Sequence, residues 1–110
     1  MKSTWQPVKL NWLENKLEIQ FWLLSEPEKK LWNLIRIQPE KWSLPPLGDL
    51  GGGFYVVAIF GSQVLWFNDI KDGFNIRTYK THGVIAEYHS NQNELHHSIS
   101  YLYNNLQSDL

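Results

Sequence analysis

The chain of 110 residues contains no cysteine, which excludes disulfides, thiolate metal sites and a cysteine nucleophile. It has no run of about eighteen consecutive apolar residues, so the sequence predicts no membrane-spanning helix. The first ten residues carry no apolar segment of the kind found in signal peptides. We therefore expect a soluble, cytoplasmic protein that makes no contact with a membrane.

An excess of charge of one sign is also missing, since the formal net charge is −1. Residues 1–47 hold seven Lys/Arg and five Asp/Glu, whereas residues 48–110 hold three and six. Nucleic-acid phosphates are bound by clustered cations, and the mildly acidic second half of the chain disfavours such binding. The sequence therefore predicts no nucleic-acid partner.

Motifs for catalysis and for metal binding are absent as well. Gly51-Gly52-Gly53 precedes a predicted strand and no Lys-Ser/Thr follows it, so it does not have the pattern of a phosphate-binding loop. The polar stretch from Asp69 has Lys71 where a calcium loop needs a ligand. No histidine pair has the His-x-x-x-His spacing, and no serine lies in a Gly-x-Ser-x-Gly turn. We predict no metal, no cofactor and no catalytic residue.

The sequence is rich in aromatic residues, which make up 15% of the chain and include six tryptophans. Four runs of β-branched and aromatic residues are separated by glycine-containing turns, at 54–60, 63–69, 74–79 and 84–89. This spacing is typical of an antiparallel meander. We predict an α+β fold with about four to six strands in a single domain, 1–110.

The run Phe54–Phe60 is apolar on both of its faces. A strand of this kind lies inside a sheet that is covered above and below. We therefore expect helices on opposite sides of the sheet.

Two helices are predicted from their first residues. Ser25 and Glu28 have the spacing of a capping box, and Pro39 prevents continuation, which predicts a helix over 26–36. A strand at 31–37 is the alternative there.

A C-terminal helix over 91–106 begins with a capping box at Asn91 and Glu94. Its apolar side chains recur at steps of three or four and should be buried against the sheet. They are Leu95, Ile99, Leu102 and Leu106.

Residues 8–24 fit two patterns. Large apolar residues alternate with polar ones, as in two strands with a tight turn, yet Leu10, Leu13, Leu17, Phe21 and Leu24 also have helical spacing. The alternation accounts for more of the large residues, so the sequence favours a strand at 17–23.

The Asp72-Gly73 turn brings acidic side chains close to aromatic ones, and Gly73 is expected to supply the positive φ of the turn. Carboxylates beside aromatic residues are common in protein-binding surfaces, where charge raises the association rate and aromatic burial supplies affinity. We predict a protein-binding site here, formed by Trp66, Asn68, Asp69, Asp72 and Phe74.

A small, cysteine-free, aromatic-rich α+β chain without catalytic motifs is similar in general character to small bacterial immunity proteins and other inhibitor-type modules. That resemblance implies a protein-binding module without catalytic activity. One alternative is a small-ligand or enzymatic pocket lined by tryptophans, with Glu87 or His89 as its polar group. Another is a structural subunit that buries its aromatic residues in a homodimer.

Overall fold

The computed structural model describes residues 8–44, 52–85 and 93–108. Three helices and four strands follow one another along the chain. They are α1 (Leu10–Phe21), α2 (Glu26–Ile35), β1 (Arg36–Trp42), β2 (Phe54–Phe60), β3 (Gln63–Asn68), β4 (Gly73–Thr78) and α3 (Leu95–Ser108). The predicted α+β class with an antiparallel sheet is confirmed.

The sheet is a meander in the order β1-β2-β3-β4, and each neighbouring pair is antiparallel. The three predicted runs at 54–60, 63–69 and 74–79 form β2, β3 and β4. The fourth run begins differently from the prediction, because Val84 forms a parallel bridge with Ser43 rather than pairing with β4. Residues 86–89 of that run lie outside the described residues.

β1 is a strand that the sequence analysis missed. Pro39 was interpreted there only as a helix stop. Proline cannot donate to a ladder and is therefore confined to edge strands and irregular positions. Pro39 satisfies both conditions here, since β1 is an outer strand and its register with β2 shifts between Arg36 and Glu40.

α2 begins as the sequence predicts. The Glu28 amide donates to Ser25 Oγ at 3.3 Å, and the Ser25 amide donates to Glu28 Oε1 at 2.9 Å, which completes the capping box. The helix ends at Ile35, and the strand proposed as the alternative begins only at Arg36. Leu31, Trp32 and Ile35 are the buried residues of this helix, whereas Leu34 is exposed.

The prediction of a strand at 17–23 is wrong, because residues 10–21 form α1. A helix of this length buries Leu13, Leu17 and Gln20, with Leu24 just beyond its end. Alternation favoured a strand because it counted every large apolar residue as a core residue. Several of those residues, Ile19 among them, are exposed on the helix.

All three helices lie on one face of the sheet, which we call the helix face. Helix residues and strand residues form a single buried cluster there, made up of Leu13, Leu17, Leu24, Leu31, Trp32, Ile35, Val57, Ala58, Leu65, Phe67, Phe74, Leu95, Ile99 and Leu102. The predicted placement of helices on opposite sides is therefore wrong.

The opposite face of the sheet, which we call the second face, is covered by side chains from the end of β1 and from nearby segments. Trp42, Leu44 and Ile85 pack there on residues of β2 and β3. Phe54, Val56, Val64 and Trp66 complete this second cluster. The prediction that β2 is buried on both faces is thus confirmed, although no helix in the described ranges covers the second face.

α3 buries Leu95, Ile99 and Leu102 as predicted, whereas Leu106 is exposed. Asn91, the predicted cap, lies outside the described residues. The first amide of the helix, that of Leu95, donates to the side-chain oxygen of Gln20 on α1. Gln20 therefore satisfies a free amide at the start of another helix, which explains why an amide side chain is buried in the apolar stripe of α1.

Candidate functional site

α1 carries two parallel stripes of side chains. Each stripe advances by four, three and four residues, which is the spacing of one helix face. The inner stripe, Leu13-Leu17-Gln20-Leu24, is buried against the helix face of the sheet. The outer stripe consists of Trp12, Lys16, Ile19 and Leu23.

The outer stripe leaves large apolar side chains in solvent. Trp12 is 45% exposed, Ile19 59% and Leu23 60%, and the adjoining Trp22 is 66% exposed. A shallow depression of about 230 Å³ lies between Trp12 and Ile19. A cluster of large apolar residues on the surface of a small protein is typical of an interaction site. We call Trp12, Lys16, Ile19, Trp22 and Leu23 the α1 outer face.

The predicted acidic turn adjoins this surface. Lys16 Nζ lies 5.5 Å from the centre of the Trp12 ring and 3.9 Å from Asp72 Oδ1. Asp72 adopts a positive φ of 55°, and its side chain is 71% exposed. The left-handed residue of the turn is therefore Asp72 and not Gly73, which is already part of β4; an aspartate tolerates this conformation better than most residues.

The second exposed tryptophan also has a lysine over its ring. Lys29 Nζ lies 4.8 Å from the centre of Trp22, and it pairs with Glu26 at 3.3 Å. Trp22 itself packs edge-on against Phe21 at 5.3 Å. Cations over indole faces are stabilised by the ring quadrupole, so each exposed indole has a positive charge beside it.

The other predicted site residues hold the fold together. Trp66 is fully buried in the cluster of the second face, and Phe74 is fully buried in that of the helix face. Asn68 is buried, and its side-chain oxygen accepts hydrogen bonds from the amides of Ile70 and Lys71. These three side chains are enclosed within the fold.

Asp69 is half-buried, and its Oδ2 accepts a hydrogen bond from the Val8 amide at 3.1 Å. This contact fixes the segment that leads into α1, because Val8 also packs on the helix-face cluster. Of the five predicted residues, the structure therefore brings Asp72 to an exposed apolar surface.

Within the described part of the chain, the residues considered for catalysis are not brought together at one site. Glu87 and His89, the polar groups of the alternative pocket, lie outside the described residues. Ser100 Oγ donates to Glu28 Oε2 at 2.6 Å, which joins α3 to α2. Burial would raise the pKa of the Glu28 carboxyl, but hydrogen bonds from Ser100 and Ser25 and the electrostatic effect of nearby His96 outweigh it and lower that pKa.

Metal ligands do not converge within the described ranges, where no group of three His, Asp or Glu residues could hold an ion. The rings of the adjacent His96 and His97 lie with their centres 4.1 Å apart and their planes tilted by 43°. Glu94 and His97 are three residues apart, but the Glu94 carboxylate accepts a hydrogen bond from Gln20. That the protein needs no metal stays a prediction.

Comparison with protein-family models, curated proteins and solved structures finds no match to this chain. Among the helices of residues 8–44 and 93–108, none is long and apolar enough to cross a membrane. The functional argument therefore depends on the geometry of the α1 outer face and of Asp72.

Sequence reasoning missed the α1 outer face because it treated the large residues of 8–24 as core. The signal was nonetheless present. The two stripes stand one residue apart, and only one of them can face the sheet because adjacent helix residues differ in direction by about 100°. The stripe that contains Lys16 is the more exposed of the two, although its Trp12 ring also contacts Phe67 of β3 with the ring centres 5.7 Å apart.

Proposed function

We propose that this chain is a small protein-binding module without catalytic activity, and that the α1 outer face together with Asp72 is its contact surface. The observation that supports this is the exposure of Trp12 and Ile19 on α1 and of Trp22 and Leu23 just beyond its end. Aromatic residues dominate the energetics of protein interfaces, because they bury much area and lose little side-chain entropy on binding.

The shape of this surface favours a protein over a small molecule. Ligand pockets are concave and span roughly 300–1,000 Å³. The depression between Trp12 and Ile19 holds about 230 Å³, and the apolar side chains around it project outward from a convex helix. An apolar face of a partner can cover several of these side chains at once, which a small ligand cannot do.

Charge at the edge of the surface indicates the chemistry of the partner. Asp72 extends into solvent beside Trp12, and its pairing with Lys16 is at the long limit of an ion pair, 3.9 Å. A basic side chain on the partner can therefore reach the carboxylate while an apolar group covers Trp12. Complementary charge of this kind mainly raises the association rate. We propose a partner with an apolar contact face and at least one basic residue at its rim.

An inhibitor-type role, in which the module blocks the site of the protein it holds, stays a prediction. The same is true of a homodimer. A second copy in contact with the α1 outer face would bury the same tryptophans, so the experiment below includes that outcome.

The test begins with a photoreactive amino acid in place of Trp12, and with the same group in place of Leu34 as the control position. Cross-linking is carried out in cells of the native host, and the captured protein is then purified and titrated with the unlabelled chain. We expect direct binding that falls at least 100-fold in Ile19→Asp. Leu34→Asp is the matched control, because Leu34 is an exposed leucine near the end of α2, as Ile19 is near the end of α1.

Asp72→Lys should slow association with the same partner several-fold and leave the dissociation rate nearly unchanged. A variant of Asp69 is unsuitable, since it would release Val8. Equal binding by Ile19→Asp and Leu34→Asp would contradict the proposed surface. Dimers by light scattering that Ile19→Asp converts to monomers would contradict the heterologous partner in favour of a second copy.

A further inference from the structure

A cleft of about 310 Å³ lies between α1, the end of α2 and the first half of β1, and we call it the α1–β1 cleft. Its α1 wall is a third stripe of the helix, formed by Glu14, Glu18 and Phe21. This stripe lies on the far side of the buried inner stripe from the α1 outer face, so the two surfaces are separate. The described lining residues come from 14–21 and 32–39 and are at least six positions in the sequence from any residue outside the described ranges.

Opposite charges line the cleft without forming an ion pair. Glu14 and Glu18 lie one helical turn apart on α1, and Arg36 lies at the junction of α2 and β1. Among the described residues, no side chain forms an ion pair with Glu18 or with Arg36. The cleft therefore presents a carboxylate and a guanidinium to the same small volume.

Contacts with other lining residues hold two of these charged groups in place. Arg36 Cζ lies 5.8 Å from the centre of the Trp32 ring, whose quadrupole stabilises the guanidinium. Trp32 is only 1% exposed and is therefore fixed in the core. The Glu14 carboxylate accepts a hydrogen bond from the Gln38 amide group at 3.3 Å, which joins α1 to β1. Glu18 is thus the carboxylate of the cleft that has no partner among the described residues.

Apolar surface lies beside these charges. Phe21, Ile37 and Pro39 line the cleft and are half-buried, so part of each side chain is accessible to a ligand. Ligand pockets combine such surface with a few polar groups and span roughly 300–1,000 Å³. The cleft is at the small end of this range, which suits a molecule of the size of an amino acid.

We propose that the α1–β1 cleft binds a free amino acid with an apolar side chain, in addition to the protein held by the α1 outer face. The Glu18 carboxylate accepts hydrogen bonds from the ammonium group of the ligand, and the Arg36 guanidinium donates to its carboxylate. The apolar side chain packs against Phe21, Ile37 and Pro39. A zwitterion fits better than a ligand of one charge, because Arg36 repels a cation and Glu18 repels an anion.

The test uses leucine and phenylalanine, each with two derivatives that keep its side chain. The amide lacks the carboxylate, and the N-acetyl form lacks the ammonium group. Binding to the isotope-labelled chain is followed by NMR titration. We expect saturable shifts of the Phe21 and Ile37 signals with the amino acids, and at least 10-fold weaker binding of each derivative.

Each charged residue of the cleft should affect only the ligand group that it contacts. Glu18→Gln should weaken leucine binding at least 10-fold without weakening that of N-acetyl-leucine, because this derivative has no ammonium group. Arg36→Gln should weaken leucine binding to a similar extent without weakening that of leucinamide, which has no carboxylate. Asp72→Asn and Lys30→Gln are the matched controls, since they change exposed charges outside the cleft, and both should bind leucine as the wild type does.

Absence of saturable shifts at Phe21 and Ile37 with both amino acids would overturn the proposal. A derivative that binds as tightly as its parent amino acid would also overturn it, as would Glu18→Gln with unchanged affinity for leucine. Ile19→Asp should leave leucine binding unchanged, so this test is independent of the α1 outer face.

Discussion

The two faces of the sheet are packed by different means. On the helix face, many aliphatic side chains from three helices share the burial, and polar contacts such as Ser100 to Glu28 join the helices to one another. Among the described residues, the cluster of the second face is smaller, and three of its seven buried side chains are aromatic, those of Trp42, Phe54 and Trp66. A face covered by a few large rings should depend more on each of them than a face covered by many smaller side chains.

The strongest test of this difference is the truncation of one ring. Trp66→Ala should cost about 3–5 kcal/mol of unfolding free energy, since it removes a fully buried ring that packs 5.0 Å from Phe54. Leu102→Ala on the helix face should cost on the order of 2–5 kcal/mol and less than Trp66→Ala. Urea denaturation of both variants measures the two values. A larger loss for Leu102→Ala would reverse the comparison.

A smaller loss of unfolding free energy is expected on substitution of Gly53, where two backbone segments approach closely at the second face. Gly53 has a φ of +112°, and a Cβ there would lie 2.1 Å from the Trp42 carbonyl oxygen. Gly53→Ala should therefore cost about 2–3 kcal/mol, because backbone strain and overpacking add. Gly61→Ala is the matched control, with a φ of +60° and no atom within 4 Å, and should lose about 1 kcal/mol. Equal melting of the two variants would show that the second face tolerates displacement of Trp42.

The hydrogen bond from Ser100 on α3 to Glu28 on α2 should contribute less to the unfolding free energy than the two features above. Ser100→Ala should cost about 1 kcal/mol at neutral pH, because it removes one donor from the Glu28 carboxylate. The pKa of Glu28 is lowered in the folded state, so this stabilisation is present above its unfolded value of 4.5 and is lost as the pH falls through the folded value. The difference between wild type and Ser100→Ala should therefore shrink in acid.

Denaturant midpoints at several pH values measure this trend. Ser62→Ala, at an exposed turn serine, should follow the wild type throughout. A Ser100→Ala deficit that stays constant down to strongly acidic pH would show that Glu28 is not the acceptor that matters.

The smallest change in stability is expected for Asp72→Gly, in the turn between β3 and β4, which belongs to neither buried cluster. Asp72→Gly should change stability by no more than about 0.5 kcal/mol, because relief of the left-handed conformation and loss of the long pair with Lys16 oppose each other. Asp72→Val should lose about 1–2 kcal/mol, since a β-branched residue is strained at positive φ. Both variants remove the Asp72 carboxylate, and only Asp72→Val adds a β-branched side chain. The difference between their thermal melts therefore measures the steric cost at positive φ apart from the loss of charge. Equal stability would place the left-handed residue elsewhere in the turn.

Sequence alone determined the elements whose signals are local. The capping box of Ser25 and Glu28 fixes the start of α2 because both partners lie within one turn. The hairpin strands β2, β3 and β4 are marked by alternation and by short turns. The stripe of α3 identifies Leu95, Ile99 and Leu102 as core, since a helix face is set by spacing alone.

The tertiary structure decided what depends on distant partners. Residues 17–21 satisfy two periodicities, and contact of α1 with α3, through Gln20 and Leu95, selects the helix. Pro39 lies in a strand because β2 offers a neighbour on one side only. Trp66 and Trp12 are both tryptophans in apolar patterns, yet one is core and the other is surface. Sequence periodicity gives the direction of a side chain within its own element, whereas burial depends on what other elements place there.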